Sequence, residues 1–374
     1  MKRLLLTIAT VMAIMASEPG IAFAQGSWVG ETILVKKNRI KIGHTDSQGR
    51  QVYVGVLDGA GYTVLGDQAG WLLVKDRRGA EGWFDKADAV LLKSAVAYFT
   101  GLIRQNPANE AAYDRRAIAW MLKGELEIAI MDFGEAIRLN PTGAGLYNNR
   151  GNAWLRKKEY DRAIADYNEA IRLEPFETGY YNRGIAWVGK KDYDRAIADY
   201  SEAIRLDPKY VVAFNSRGNA WLQKKEYDKA IADYSEAIRL DPKYVAVFNN
   251  RGFAWNKRRD YEKAIRDFSQ AIKVDAGYAD AYNRLAWLLA TCPDARFRDG
   301  NLAIEVALQS CKLTNWKDGN CVDTLAAGYA EAGQFDKATH YQEMALTDSS
   351  YVRLSGLGAR QRLELYQQQK AYRE

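Results

Sequence analysis

A mostly helical chain, an α-solenoid of about seven helix-turn-helix units preceded by a small β-barrel, is the architecture this 374-residue sequence predicts. Three observations lead there. Trp120, Trp154, Trp187, Trp221 and Trp255 recur with spacings of 34, 33, 34 and 34 residues. Pro107, Pro141, Pro175, Pro208 and Pro242 keep the same period, and a period of this size marks a stack of supersecondary units. Residues 28–92 stand apart, as short β-rich runs separated by glycine and aspartate turns.

The first element is an address. Lys2 and Arg3 precede the apolar run from Leu4 to Ala16, and Ala22-Phe23-Ala24 offers a small-x-small cleavage site. This order reads as a secretory signal over residues 1–24. The run would rise only ~20 Å as a helix, short of the ~30 Å hydrocarbon core, which disfavours a retained anchor. No later segment is apolar and long enough to span, so the expected mature chain is exported, periplasmic or secreted, without a membrane span.

In residues 28–92, Thr32-Ile33-Leu34-Val35, Val52-Tyr53-Val54-Gly55-Val56 and Trp71-Leu72-Leu73-Val74 are strand-like, with turns at Asp58-Gly59, Gly66-Asp67 and Arg78-Gly79. Five short strands in this length predict a strongly bent barrel. Gly82 would permit a close backbone approach, with Trp71 and Trp83 supplying apolar area to a small core. The closing stretch, in which Trp71 and Val74 precede Gly82-Trp83, resembles the last hairpin of bacterial SH3-like domains.

Residues 93–109 carry Ala95, Phe99 and Leu102 at helical spacing and read as a capping helix and linker. Repeat units follow at 110–143, 144–176, 177–210, 211–244 and 245–278. A sixth begins with Tyr282, Ala286 and Leu289, is interrupted by the loop containing Pro293 and resumes at Ala303; a seventh completes the array at 348. Residues 349–374 form a C-terminal cap and tail, with a polar helix expected from about Leu357 to Lys370. Small residues in each unit let its two helices approach, aromatic residues fill the spaces beside them, and the closing proline ends the second helix. In the fourth unit Phe214, Gly218, Trp221, Tyr227, Ala230, Tyr234, Ala237 and Pro242 resemble the signature of the tetratricopeptide repeat (TPR) family.

That resemblance implies a protein-binding face lined by the first helix of each unit, with ligands contacting positions 2, 5, 6, 9, 12 and 13 of the repeat. Carried onto this chain, these are Asn148, Asn149, Asn152 and Arg156 in the second unit, and Tyr181 and Asn182 in the third. The fourth supplies Asn215, Asn219 and Gln223, and the fifth Asn249, Asn250, Asn256 and Lys257. An asparagine offers both donor and acceptor, which suits the backbone of an extended peptide; the competing reading is that duplication alone copied these residues. The family's carboxylate clamp needs lysine at position 5, where units two to five carry asparagine or tyrosine, so it is not expected.

Arg150, Arg183, Arg217 and Arg251 at position 7 face Asp166, Asp199, Asp233 and Asp267 at position 23, and are expected to pair as structural ion pairs. Basic runs at positions 13–15, such as Arg156-Lys157-Lys158 and Lys257-Arg258-Arg259, read either as partners of helix C-termini or as a ridge for an anionic partner.

Composition limits the chemistry. There are two histidines, His44 and His340, and three cysteines, too few for ordinary metal cages of these residues. No phosphate-loop, nucleophile-elbow or zinc-protease pattern occurs. A Cys292–His340 pairing would draw on two different units. In an exported protein Cys311 and Cys321 are the favoured disulfide, since they flank one inter-helix turn. The charge of +6 falls to about +5 without the signal, too little to argue for nucleic acid. The expected function is therefore a non-enzymatic interaction scaffold without cofactor or metal, holding a protein or peptide in the repeat face. The alternative is a protein associated with a cell-wall polymer through residues 28–92.

Overall fold

The computed structural model describes residues 27–36, 40–45, 51–57, 61–76 and 80–374; the expected signal segment lies outside them. The chain divides into two compact units, residues 1–189 and 190–374.

The first unit begins with eight strands: β1 (Thr32–Val35), β2 (Ile40–Thr45), β3 (Gln51–Leu57), β4 (Tyr62–Thr63), β5 (Gly66–Gln68), β6 (Trp71–Lys75), β7 (Glu81–Asp85) and β8 (Ala89–Leu91). They form two sheets with antiparallel pairings, ordered β4-β1-β8 and β3-β2-β7-β6-β5. The sequence reading expected five strands; β4, β5 and β8 are too short to show alternation. Ile33, Val35, Ile42, Leu57, Leu72, Val74 and Phe84 build one core. At its seam a β-carbon on Gly82 would lie 2.7 Å from the backbone nitrogen of Gly43, and one on Gly43 would lie 2.3 Å from the Val52 carbonyl oxygen. Only glycine fits where these strands cross so closely.

Helix α1 (Leu92–Gln105) follows, then the pairs α2 (Glu110–Leu122) with α3 (Leu126–Leu139) and α4 (Ala144–Arg156) with α5 (Tyr160–Leu173), and finally α6 (Glu177–Gly189). Helix α1 packs against α2. Its Phe99 is buried with Ala117 and Ile118 of α2 and with Leu34 and Val90 of the three-stranded sheet, so sheet and helices share a core.

The second unit holds α7 (Tyr193–Leu206), α8 (Val211–Gln223), α9 (Tyr227–Leu240), α10 (Val245–Lys257), α11 (Tyr261–Val274), α12 (Ala279–Thr291), α13 (Gly300–Leu313), α14 (Gly319–Glu331), α15 (Phe335–Ala345) and α16 (Ser349–Gln367). The solenoid fold class is the one the repeats predict. Helix α16 starts eight residues before the expected Leu357, because the Asp348 carboxylate caps it by accepting from the backbone N–H groups of Ser350 and Tyr351.

The repeat signature has a direct steric basis. A β-carbon at Gly151, Gly218 or Gly252 would come within 2.7, 2.6 and 2.7 Å of the rings of Tyr167, Tyr234 and Phe268. Each ring is buried in its own unit, fixing how closely the paired helices pack. The basic residues at position 15 have a backbone role: Lys158, Lys225 and Arg259 take φ of 62°, 61° and 66° just past their helices. This is the left-handed turn that ends an α-helix, occupied by Gly124 in the first repeat.

Candidate functional site

The first helices of successive repeats lie side by side, α2, α4 and α6 in the first unit and α8, α10, α12 and α14 in the second. Their shared faces carry the residues that the sequence singles out, and hydrogen bonds join those residues from one repeat to the next. Asn149 Nδ2 donates to Asp114 Oδ1 at 3.0 Å, and Asn182 Nδ2 to Asn148 Oδ1 at 3.0 Å. In the second unit Asn250 Nδ2 donates to Asn215 Oδ1 at 3.1 Å. These three joints follow one rule: the amide at position 6 donates to the oxygen at position 5 of the preceding repeat. Burial holds the Asp114 carboxyl above its usual range, against the Arg115 guanidinium and the Asn149 bond.

Position 9 is tied down differently. The Tyr167 hydroxyl donates to Asn152 Oδ1 at 2.8 Å and the Tyr234 hydroxyl to Asn219 Oδ1 at 2.7 Å. Asn148, Asn152, Asn215 and Asn219 thus have an oxygen engaged and an amide nitrogen outside these bonds, whereas Asn149, Asn182 and Asn250 use an amide N–H in them. Tyr181 lies half-buried on α6. At positions 12 and 13, Arg156 donates to the Met121 carbonyl oxygen at 3.0 Å and Gln223 is exposed. Asn256 lines a cavity, and Lys257 Nζ donates to Glu374 Oε1 at 2.7 Å.

Behind this face three of the four expected ion pairs are seen. Arg150 grips Asp166 in bidentate fashion at 2.8 and 2.7 Å, Arg217 grips Asp233 at 2.8 and 2.7 Å, and Arg251 grips Asp267 at 2.7 and 2.8 Å. Arg116 with Asp132 extends the series into the first repeat, a pair the sequence reading did not single out. The Asp166 carboxylate raises the pKa of Arg150 above its usual value, chiefly through the hydrogen bond. Arg217 and Arg251 also reach the Ser201 and Ser235 hydroxyls of the repeat before, at 2.9 and 3.0 Å, so each pair also ties adjacent repeats together. Much of the basic run is likewise committed: Lys157 pairs with Glu127, Lys224 with Asp194 and Arg258 with Asp228.

The expected Cys311–Cys321 bridge is not formed. Both are buried free thiols, and the Ser310 hydroxyl lies 3.0 Å from Cys321 Sγ. Burial pushes Cys311 up to about 12 and Cys321 up to about 11, so both stay protonated and unreactive at neutral pH. Cys292, also buried, is packed with Leu288 and Leu289, and His340 is exposed on α15. Among the described residues no group of three His, Cys, Asp or Glu side chains could hold a metal ion. No described helix is long and apolar enough to cross a membrane.

Paired helices with first helices side by side, and a polar face along them, define a helical-repeat protein. Residues 144–176 and 178–210 match the sequence model described as Tetratricopeptide repeat, and residues 218–257 match the one described as TPR repeat. The chain therefore contains tetratricopeptide repeats, and such repeats serve typically as protein-interaction scaffolds. Among solved structures, yeast Tom70 is 19% identical with a TM-score of 0.51, covering 74% of this chain and 59% of its own. The Cut9–Hcn1 assembly is 18% identical with a TM-score of 0.50, over 63% of this chain and 46% of the other. YrrB, described as a TPR protein with an unusual peptide-binding site, is 23% identical with a TM-score of 0.42, over 49% of this chain and 95% of its own. Comparison with curated protein sequences gives no match. These likenesses speak to the fold.

Proposed function

We propose that the protein is an exported, non-catalytic scaffold whose repeat face holds an extended segment of a partner protein. The observation that carries this reading is the set of amides held in one orientation by inter-repeat bonds, as at Asn148–Asn182 and Asn215–Asn250. Side chains fixed before binding lose less entropy when a ligand arrives. Donors repeated from one hairpin to the next suit a peptide backbone whatever its side chains. The test is crosslinking from this face, with Asn148, Asn215 and Asn249 changed together to alanine. Loss of the captured partner is the expected result, and unchanged capture by a folded variant would refute the role of the asparagines.

A second reading rests on the outer face of the five-stranded sheet. Tyr53 pairs with Gly43, Gly43 with Trp83, and Trp83 with Leu73, placing these residues in one row across the strands. Tyr53 is 60% exposed, and Trp71 lies two residues from Leu73 on the same face. Aromatic faces of this kind stack on sugar rings, which favours residues 28–92, the segment that resembles an SH3-like domain, as a module for a cell-wall polymer. Retention on purified peptidoglycan, lost on Tyr53→Ala with Trp71→Ala, is the expected outcome.

A further inference from the structure

The repeat rule fails at the joint between α10 and α12, and the failure opens a site. Position 6 of the sixth repeat is Arg284 instead of asparagine. No side chain reaches the position 5 oxygen of the preceding repeat: Asn249 Oδ1 is buried without a hydrogen-bond partner. Arg284 turns instead to the Phe253 ring, its guanidinium carbon 4.5 Å from the centroid. Among the described residues no carboxylate lies within ion-pair distance of it, and burial pulls its pKa below the ordinary arginine value. A desolvated guanidinium without an ion-pair contact is costly; Asp280 offsets the burial of this one only in part, and it lines a cavity of 630 Å³ between α10, α12, α14 and α16.

The carboxylates around that cavity are mostly committed elsewhere. Asp323 is gripped by Arg362 at 2.9 and 3.0 Å, and Asp318 caps α14 by accepting from the Asn320 N–H. Asp280, one turn before Arg284, is exposed and outside ion-pair reach. The same face already holds one acidic side chain. Glu374, at the end of the segment after α16, receives bonds from Lys257 Nζ at 2.7 Å and from Trp287 Nε1 at 2.9 Å, while its backbone N–H donates to the Thr291 carbonyl oxygen at 3.0 Å. Leu354 and Leu357 of α16, 86% and 78% exposed, also line the cavity.

We propose that this cavity is a specificity subsite for an acidic side chain of a partner segment, with Arg284 as its counter-ion and Leu354 and Leu357 receiving the apolar residues beside it. The proposal rests on the repeat face as a peptide-binding surface. An arginine that makes no ion-pair contact, stacks on an aromatic ring and faces a cavity has donors available for a carboxylate. The neighbouring Glu374 shows the same face accommodating such a group from a segment outside regular secondary structure.

The test uses the full chain and three amidated synthetic peptides of alternating leucine with glutamate, glutamine or lysine, measured by fluorescence anisotropy. Amidation removes the terminal carboxylate, so only side chains compete. The glutamate peptide is expected to bind about tenfold more tightly than the glutamine peptide. The preference should vanish in Arg284→Gln, grow in Asp280→Asn, and the affinity should fall several-fold in Leu357→Ser. Equal binding of the glutamate and glutamine peptides, tighter binding of the lysine peptide, or a preference that survives Arg284→Gln overturns the subsite. If Arg284→Gln fails to fold, the three peptides on the unaltered protein decide the matter together with Leu357→Ser, whose side chain is exposed. Equal binding of glutamate and glutamine peptides that is lost in Asn215→Ala with Asn250→Ala overturns the subsite but leaves the groove reading standing. Absence of binding by any peptide at millimolar concentration overturns the subsite, while partner crosslinking tests the groove separately.

Discussion

Two joints in the second unit differ by one side chain and lead to different properties. Between α8 and α10 an asparagine amide closes the seam onto Asn215. Between α10 and α12 the equivalent residue is Arg284, the Asn249 oxygen has no partner, and a cavity lies against the arginine. The closed joint satisfies its polar groups internally and fixes the spacing of the repeats. The open joint leaves a donor set and an acceptor unspent, which is what a binding site requires and a stabilising contact does not. In a repeat protein, stability is close to a sum of units and nearest-neighbour interfaces, so one interface can be given over to binding while its neighbours hold the fold.

That contrast can be broken at several points, and urea unfolding of the full chain reads each of them. Asp233→Ala strands the Arg217 guanidinium and removes a bidentate pair; a loss of about 3 kcal/mol is expected, and unchanged stability would show the pair to be idle. Gly218→Ala places a methyl group 2.6 Å from the Tyr234 ring and should cost about 2 kcal/mol through overpacking. Asn250→Ala breaks the closed joint and should cost about 1 kcal/mol. Arg284→Gln, at the open joint, should leave the urea midpoint nearly unchanged. Equal losses at Asn250 and Arg284 would erase the distinction between the joints.

The repeat period, the unit boundaries and the sixteen-residue spacing of Arg150 with Asp166 could all be read from the sequence, because packing positions are copied with the repeats. The candidate face could be read in the same way, since position within the repeat fixes which helix and which side a residue occupies. What the asparagines do to one another could not. Position 5 and position 6 meet only across two repeats, and the bond from Asn182 to Asn148 joins residues far apart in the chain. The clue to the open joint was visible as the exchange of asparagine for Arg284, but its meaning depends on knowing that the amide at this position closes a seam. The strands were undercounted because β4 spans only Tyr62–Thr63. Helix α16 begins before the Leu357 that the sequence suggests. In the fold Gly356 is buried within the helix, and the Asp348 cap secures the start.

Under the proposal, ligand binding concentrates at the joint that the repeat rule leaves open. Hydrogen–deuterium exchange with and without the amidated leucine–glutamate peptide tests it most directly. Slowed exchange is expected in α10, α12, α14 and α16, around Phe253, Arg284, Thr324 and Leu357, with α7 and α9 unchanged. Protection confined to the strands of residues 28–92, or slowed exchange at the α8–α10 seam with none at α12, would contradict it.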